Sequence, residues 1–120
     1  RLAWLAARAC ALTAQDHMLE PSAGTGMLAV WAHMVGARLA LNELSPPRRE
    51  CLAALFPVAE VSGHDGELID DLLKPGIVPS VVLANPPYSF GAERGADGKT
   101  GAKVLKQILH ELNEGNRASA

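Results

Sequence analysis

The sequence is poor in cysteine, in aromatic residues, in long apolar runs and in charge of one sign. Its 120 residues hold two cysteines, Cys10 and Cys51. Neither has a second cysteine or a histidine at metal-ligand spacing, so no zinc site and no disulfide framework is readable. The plain reading is two small core residues of a cytosolic protein. His17, His33 and His110 show no ligand spacing either, and no metal is expected. No apolar run is long enough to span a bilayer, so no membrane helix is expected. A formal net charge of −2 excludes a wholly basic nucleic-acid wrapper but leaves room for a local basic channel. Repeats and low-complexity segments are absent.

What remains is an ordinary globular composition, 48% hydrophobic and 20% charged, of a length that suits one domain over residues 1–120. The segment Arg1 to Arg8 has some traits of a signal peptide, but Arg8 interrupts it and it flows into a helical pattern, so it reads as a helix. The first residue is not methionine. The chain is therefore read as a processed product or as a piece of something longer.

Short apolar runs alternate with helical patterns, the signature of a parallel α/β sheet. Leu2, Leu5, Ala9 and Leu12 share one helical face. His17 to Glu20 reads as a first strand, followed by a Gly-rich turn. Met27, Val30, Trp31 and Met34 make a helical stripe that Gly36 ends. Arg38 to Asn42 reads as a second strand. Ser45 caps the next helix, with Pro46 in its first turn and Cys51, Leu52, Leu55 and Phe56 facing inward. Ala59 to His64 is a third strand, Glu67 to Leu73 a short helix, and Val81 to Ala84 a fourth strand. Ser89 to Thr100 reads as a loop. Val104, Leu105, Ile108, Leu109 and Leu112 line a last helix that Gly115 ends. The fourth strand is apolar on both alternating faces, so both should be covered. Nothing after it reads as a strand, and its outer edge would be bare. The expectation is a three-layer α/β/α Rossmann-like sandwich of strand order 3-2-1-4, part of a larger domain or edge-covered by a partner chain.

The first candidate site is Glu20-Pro21-Ser22-Ala23-Gly24-Thr25-Gly26, between a strand and a helix. Gly24 and Gly26 let backbone approach a ligand, and the helix start offers free N–H groups. The turn is neither a P-loop nor the GxGxxG fingerprint. Each strand ends in a polar residue: Glu20, Glu43, Asp65 and Asn85, about one βα unit apart. In a doubly wound sheet such ends line one crevice. Glu43 is placed to accept from both hydroxyls of a ribose, with Leu44 next to it also expected at the cofactor, and Asp65 is placed to accept from an adenine amino group. Any one of these residues alone reads more simply as a helix cap; three acids and an asparagine at regular spacing do not.

The second candidate site is Asn85-Pro86-Pro87-Tyr88. The prolines fix the backbone and remove donors, leaving the Pro86 carbonyl as an acceptor beside the Asn85 amide oxygen. Two convergent acceptors can hold both hydrogens of an sp2 NH2 group and aim its lone pair at a methyl donor. Tyr88, the one tyrosine in the chain, can stack on a planar substrate such as a flipped base. The plainer alternative is a Pro-rich turn.

These two segments resemble the class I methyltransferases of the amino-methylating group, which includes adenine-N6 DNA and RNA methyltransferases and protein-glutamine methyltransferases. Leu41 to Arg49 together with Gly63 to Glu67 looks more specifically like the methylase region beside strawberry-notch-type bacterial helicases. The resemblance covers nearly the whole chain. It implies S-adenosylmethionine as cofactor. Glu20, Gly24 and Gly26 would hold its methionine end, Glu43 the ribose, and Asp65 with Gly66 the adenine. Asn85 and Pro86 would orient the target nitrogen and Tyr88 would stack on the substrate. The family domain has about seven strands, and this chain stops near where the fifth would begin. The favoured substrate is adenine N6 in DNA or RNA. A protein glutamine is the alternative, and a second is a non-catalytic module that serves a helicase. His64 reads as a strand-end residue, Trp4 and Trp31 as core. Arg48 and Arg49 read as a solvated face, or as a nucleic-acid contact with Arg94, Lys99 and Lys103.

Overall fold

Residues 2–85 are described by a computed structural model of the chain. Within them the order is α1 (Leu2–Ala9), β1 (His17–Glu20), α2 (Ala29–Met34), β2 (Arg38–Asn42), α3 (Pro46–Leu55), β3 (Glu60–Ser62), a 3-10 turn (Gly66–Leu68), α4 (Ile69–Leu72) and β4 (Val81–Val82). The Pro86-Pro87-Tyr88 segment, the cationic loop and the closing helix expected after it lie outside the described residues.

The strands form one four-stranded sheet of order β3-β2-β1-β4. Every pairing is parallel: His17 aligns with Arg38, Leu19 with Val82, and Leu41 with Val61. The 3-2-1-4 order is the one the sequence pattern predicts. β1 is buried at all its residues because it is paired on both edges and covered on both faces. One face carries Met18, Leu39, Leu41 and Leu83 against Ala29, Ala32, Leu52 and Phe56. The other carries Leu19 and Ala40 against Ile69, with Leu73, Ile77 and Val82 beside them. Among the described residues β4 pairs with β1 alone.

Several apolar residues face elsewhere than their spacing suggests. α2 buries Ala29 and Ala32, while Met27, Val30 and Met34 are exposed and Trp31 is half-buried. The buried pair stands three residues apart, so it too satisfies helical periodicity. In a helix this short the small residues let the axis lie close to the sheet, and the bulky stripe is left outside. α1 buries none of its residues, and Leu2 and Leu5 are exposed. Ala6, Cys10 and Leu12 carry its contact with the core. Trp4 is no core residue: it is exposed, with the Arg8 guanidinium 5.7 Å above its ring. In α3 only Leu52 and Phe56 turn inward; Cys51 and Leu55 are exposed. That helix covers the edge strand β3, so a strip one turn apart suffices. Cys10 is half-buried, so neither cysteine is a fully buried core residue. Ser45 stands at the start of α3, but its side chain makes no cap hydrogen bond. Its backbone N–H donates to Glu43 Oε1 instead, at 2.9 Å.

Both glycines of the β1–α2 turn have left-handed backbone, φ +56° at Gly24 and φ +81° at Gly26. A Cβ on Gly24 would meet nothing within 4 Å, whereas one on Gly26 would lie 2.7 Å from the Phe56 ring. Gly26 thus serves helix packing as well as the turn. Gly24→Ala is expected to destabilise by about 1–2 kcal/mol, the left-handed strain of a side chain. Gly26→Ala adds overpacking against Phe56 and should cost about 2–4 kcal/mol. Urea unfolding of the two variants checks this; equal losses would remove Phe56 from the explanation.

Candidate functional site

The carboxyl ends of β1, β2 and β3 open onto one rim, and the chain leaves β4 beside them, since Leu83 N–H donates to the Leu19 carbonyl at 3.0 Å. In open parallel sheets such a rim is where ligands bind. The acids of the rim occupy three different environments.

Glu20, the last residue of β1, is 2% exposed. Among the described residues its Oε2 has no hydrogen-bond partner. Burial pushes its pKa from 4.5 up to about 8, against the opposing pull of the Ala29 N–H. At neutral pH the group is mostly neutral.

Glu43 is the residue after β2, and it is also buried. Its Oε2 accepts from Gly24 N–H at 2.8 Å and its Oε1 from Ser45 N–H at 2.9 Å. Arg48 lies 4.0 Å from Oε1 with an exposed side chain, a weak pairing. A carboxylate has about four lone-pair sites, and among the described residues two N–H groups take two of them. Leu44 is exposed, and its carbonyl accepts from Arg49 Nη1 at 2.7 Å. Arg49 also donates to the Glu43 carbonyl at 3.0 Å. It is half-buried, not part of a solvated face. A Cβ on Gly63 would lie 2.5 Å from its guanidinium, so glycine there makes room for the arginine.

Asp65 is exposed and heads the 3-10 turn, its carbonyl accepting from Leu68 N–H at 3.0 Å. Gly66 sits against the first loop: a Cβ there would lie 3.1 Å from the Pro21 carbonyl and 3.4 Å from Ser22 Oγ. Pro21 and Ala23 are buried, Ser22 and Gly24 half-buried. Asn85 is exposed beyond the end of β4; Pro86, Pro87 and Tyr88 lie outside the described residues.

The Glu20, Glu43 and Asp65 segments are therefore in mutual contact. What joins them was not foreseen from the sequence. Asn42, 1% exposed, bridges Pro21 and His64 through its amide nitrogen, at 3.0 and 2.9 Å. The available signal was an asparagine ending an otherwise apolar strand, a buried polar group that must find partners. Arg49 had a similar signal, a long cation one turn into a helix that starts beside an acid.

Among the described residues no group of three or more His, Cys, Asp or Glu could hold a metal ion, and no helix is long and apolar enough to cross a membrane.

Comparison with solved structures identifies the fold. A protein of Pyrococcus horikoshii, described as a proposed RNA methyltransferase, is similar with a TM-score of 0.62 at 21% identity, over 90% of this chain and 52% of that one. A conserved hypothetical protein of Streptococcus pyogenes gives a TM-score of 0.58 at 18% identity, over 84% of this chain and 59% of that one. The chain thus spans between half and three fifths of the length of these two structures. No family profile and no curated protein matches the sequence. At such identities the likeness shows fold alone: a Rossmann-like methyltransferase fold with a parallel sheet, of which residues 2–85 form the 3-2-1-4 part.

The Glu20 environment sets a pH dependence. Its folded pKa, about 8, lies above the ordinary value of 4.5. The folded state therefore binds more protons than the unfolded one between these values. Its contribution to stability is intact below 4.5 and is lost as pH rises towards 8, by at most about 1.4 kcal/mol per pH unit. Glu20→Gln should abolish this slope and be the more stable protein at pH 8. Urea midpoints measured from pH 5 to 9 decide it; identical slopes in both proteins would place the carboxyl in water.

Proposed function

We propose that this chain holds the cofactor and target nitrogen of an S-adenosylmethionine-dependent N-methyltransferase acting on adenine N6 in a nucleic acid. The observation that carries the reading is the pair of buried carboxyls, Glu20 and Glu43, at the open Gly24 turn of a methyltransferase fold. Glu20 Oε2 is a buried acceptor with no partner among the described residues, suited to the ammonium of an amino acid. Glu43 keeps two acceptor sites, the number that the two hydroxyls of a ribose require. On this reading the Asp65–Gly66 segment would meet the adenine, and Leu44, which is exposed, would add apolar contact to the cofactor. The donor set therefore fits this cofactor.

When bound, the cofactor supplies a methyl group already activated on a sulfonium sulfur, so the chain needs no nucleophile of its own. Its residues bind, orient and exclude water. The Asn85 amide oxygen and the Pro86 carbonyl would accept the two hydrogens of the target amine, turning its lone pair towards the methyl group. Tyr88 would stack on the base. Orientation of this kind can contribute about 7–11 kcal/mol. Among nucleic acids, the description of the Pyrococcus protein favours RNA.

Transfer of a labelled methyl group to RNA, DNA and protein mixtures tests the reading. Label on N6-methyladenine is expected; label confined to glutamine, or none at all, would refute it. Glu43→Ala should weaken S-adenosylhomocysteine binding by about 10- to 100-fold, the loss of charge-assisted hydrogen bonds of about 1.5–3 kcal/mol. An unchanged affinity in calorimetry would remove Glu43 from the site. Asn85→Ala should abolish transfer and largely spare binding; parallel loss of both would contradict its role at the target nitrogen.

A further inference from the structure

We infer that Asn42 is a positioning residue whose side-chain amide sets the spacing of the three segments that carry Glu20, Glu43 and Asp65. What those segments hold rests on the methyltransferase reading; the junction itself does not.

Asn42 ends β2 and is 1% exposed. Every hydrogen-bonding valence of its amide is used. Nδ2 donates to the Pro21 carbonyl at 3.0 Å and to the His64 carbonyl at 2.9 Å. Oδ1 accepts from Ser62 Oγ and from His64 N–H, both at 2.9 Å. The amide can sit only one way round. Flipped, its NH2 would face the His64 N–H and its oxygen would face two carbonyls. Pro21 adjoins Glu20, His64 adjoins Asp65, and Asn42 itself adjoins Glu43. The amide therefore grips the chain one residue away from each acid.

The main chain tightens the same junction. Ala23 N–H donates to the Asn42 carbonyl at 2.8 Å, and Glu43 N–H to the Ser62 carbonyl at 3.0 Å. The Gly24 N–H bond to Glu43 Oε2, at 2.8 Å, spans the first two segments. That bond exists only while the β1 loop and the β2 end keep their distance. Asparagine is the side chain that offers two donors and one doubly accepting oxygen at this length. Aspartate would set an oxygen against two carbonyls, and alanine would take the side-chain partner from three main-chain groups, one buried at Pro21 and two part-buried at His64.

The test compares the wild-type protein with Asn42→Asp, Asn42→Ala and Ser62→Ala. Amide hydrogen exchange is read at Gly24, Ser45 and His64, with Leu83 and Phe56 as controls because their bonds lie in the sheet and in α3. Asn42→Asp should raise exchange at Gly24 at least tenfold and leave Leu83 and Phe56 unchanged. Ser62→Ala removes one of the four bonds, so a several-fold rise at Gly24 is expected at an unaltered unfolding midpoint. S-adenosylhomocysteine affinity should fall in the same order, several-fold for Ser62→Ala and tenfold or more for Asn42→Asp. Should the Asn42 variants not fold, Ser62→Ala decides alone. Wild-type exchange at Gly24 in Ser62→Ala, or an equal rise at Gly24, Leu83 and Phe56, would overturn the inference. If the wild-type protein binds no S-adenosylhomocysteine, the methyltransferase reading fails, and the exchange data still decide whether Asn42 sets the spacing.

Discussion

β1 is hydrogen-bonded on both edges and covered on both faces, so its last residue arrives at the rim of the sheet out of contact with water. That constraint shapes the rest of the crevice. A carboxyl at this position cannot keep its hydration, and among the described residues its Oε2 has no hydrogen-bond partner. The chain must then turn at once to reach α2, and Gly24 and Gly26 supply the left-handed backbone for that turn. Because β2 runs beside β1 in parallel register, its own end emerges at the same height, with Glu20 aligned to Leu41. Asn42 and Glu43 follow directly against the turn. The geometry of the candidate site is thus a consequence of strand order and register before it is a matter of any one side chain.

Much of this was legible in the sequence, and for a physical reason. Strands in a parallel sheet are buried on both faces, so they read as continuous apolar runs that end where the chain meets water. Glu20, Glu43 and Asp65 mark those ends, and their even spacing is the length of a βα unit. The inward faces of the helices were less legible. α2 has two stripes that satisfy helical periodicity, and only the closeness of the sheet decides that Ala29 and Ala32 go in while Met27, Val30 and Met34 stay out. The amphipathic spacing of α1 was real, yet Leu2 and Leu5 have no surface to meet within residues 2–85. Asn42 and Arg49 were illegible for another reason. Each takes its meaning from carbonyls in other segments, and no local pattern shows which segments the fold will bring together.

Equal spacing also made the three acids look alike, whereas the fold gives each a different electrostatic situation. Asp65 is exposed, Glu43 is buried against two N–H groups with an arginine nearby, and Glu20 is buried with an oxygen that has no partner among the described residues. Burial holds Glu20 mostly neutral at neutral pH. A neutral carboxyl at that depth avoids the desolvation that an unpaired charge would bring. On the proposed reading, an ammonium next to Oε2 would supply the partner that Oε2 lacks among the described residues and draw the proton off. On that same proposed reading, a ligand that is cationic at one end and carries a ribose at the other would meet these two carboxyls in the order the strands present them, Glu20 at the end of β1 and Glu43 just beyond β2. The same pair would serve a neutral nucleoside poorly, since nothing in it would then satisfy Glu20. Discrimination of that kind comes from where the sheet places a carboxyl relative to water, and the sheet order fixes that place.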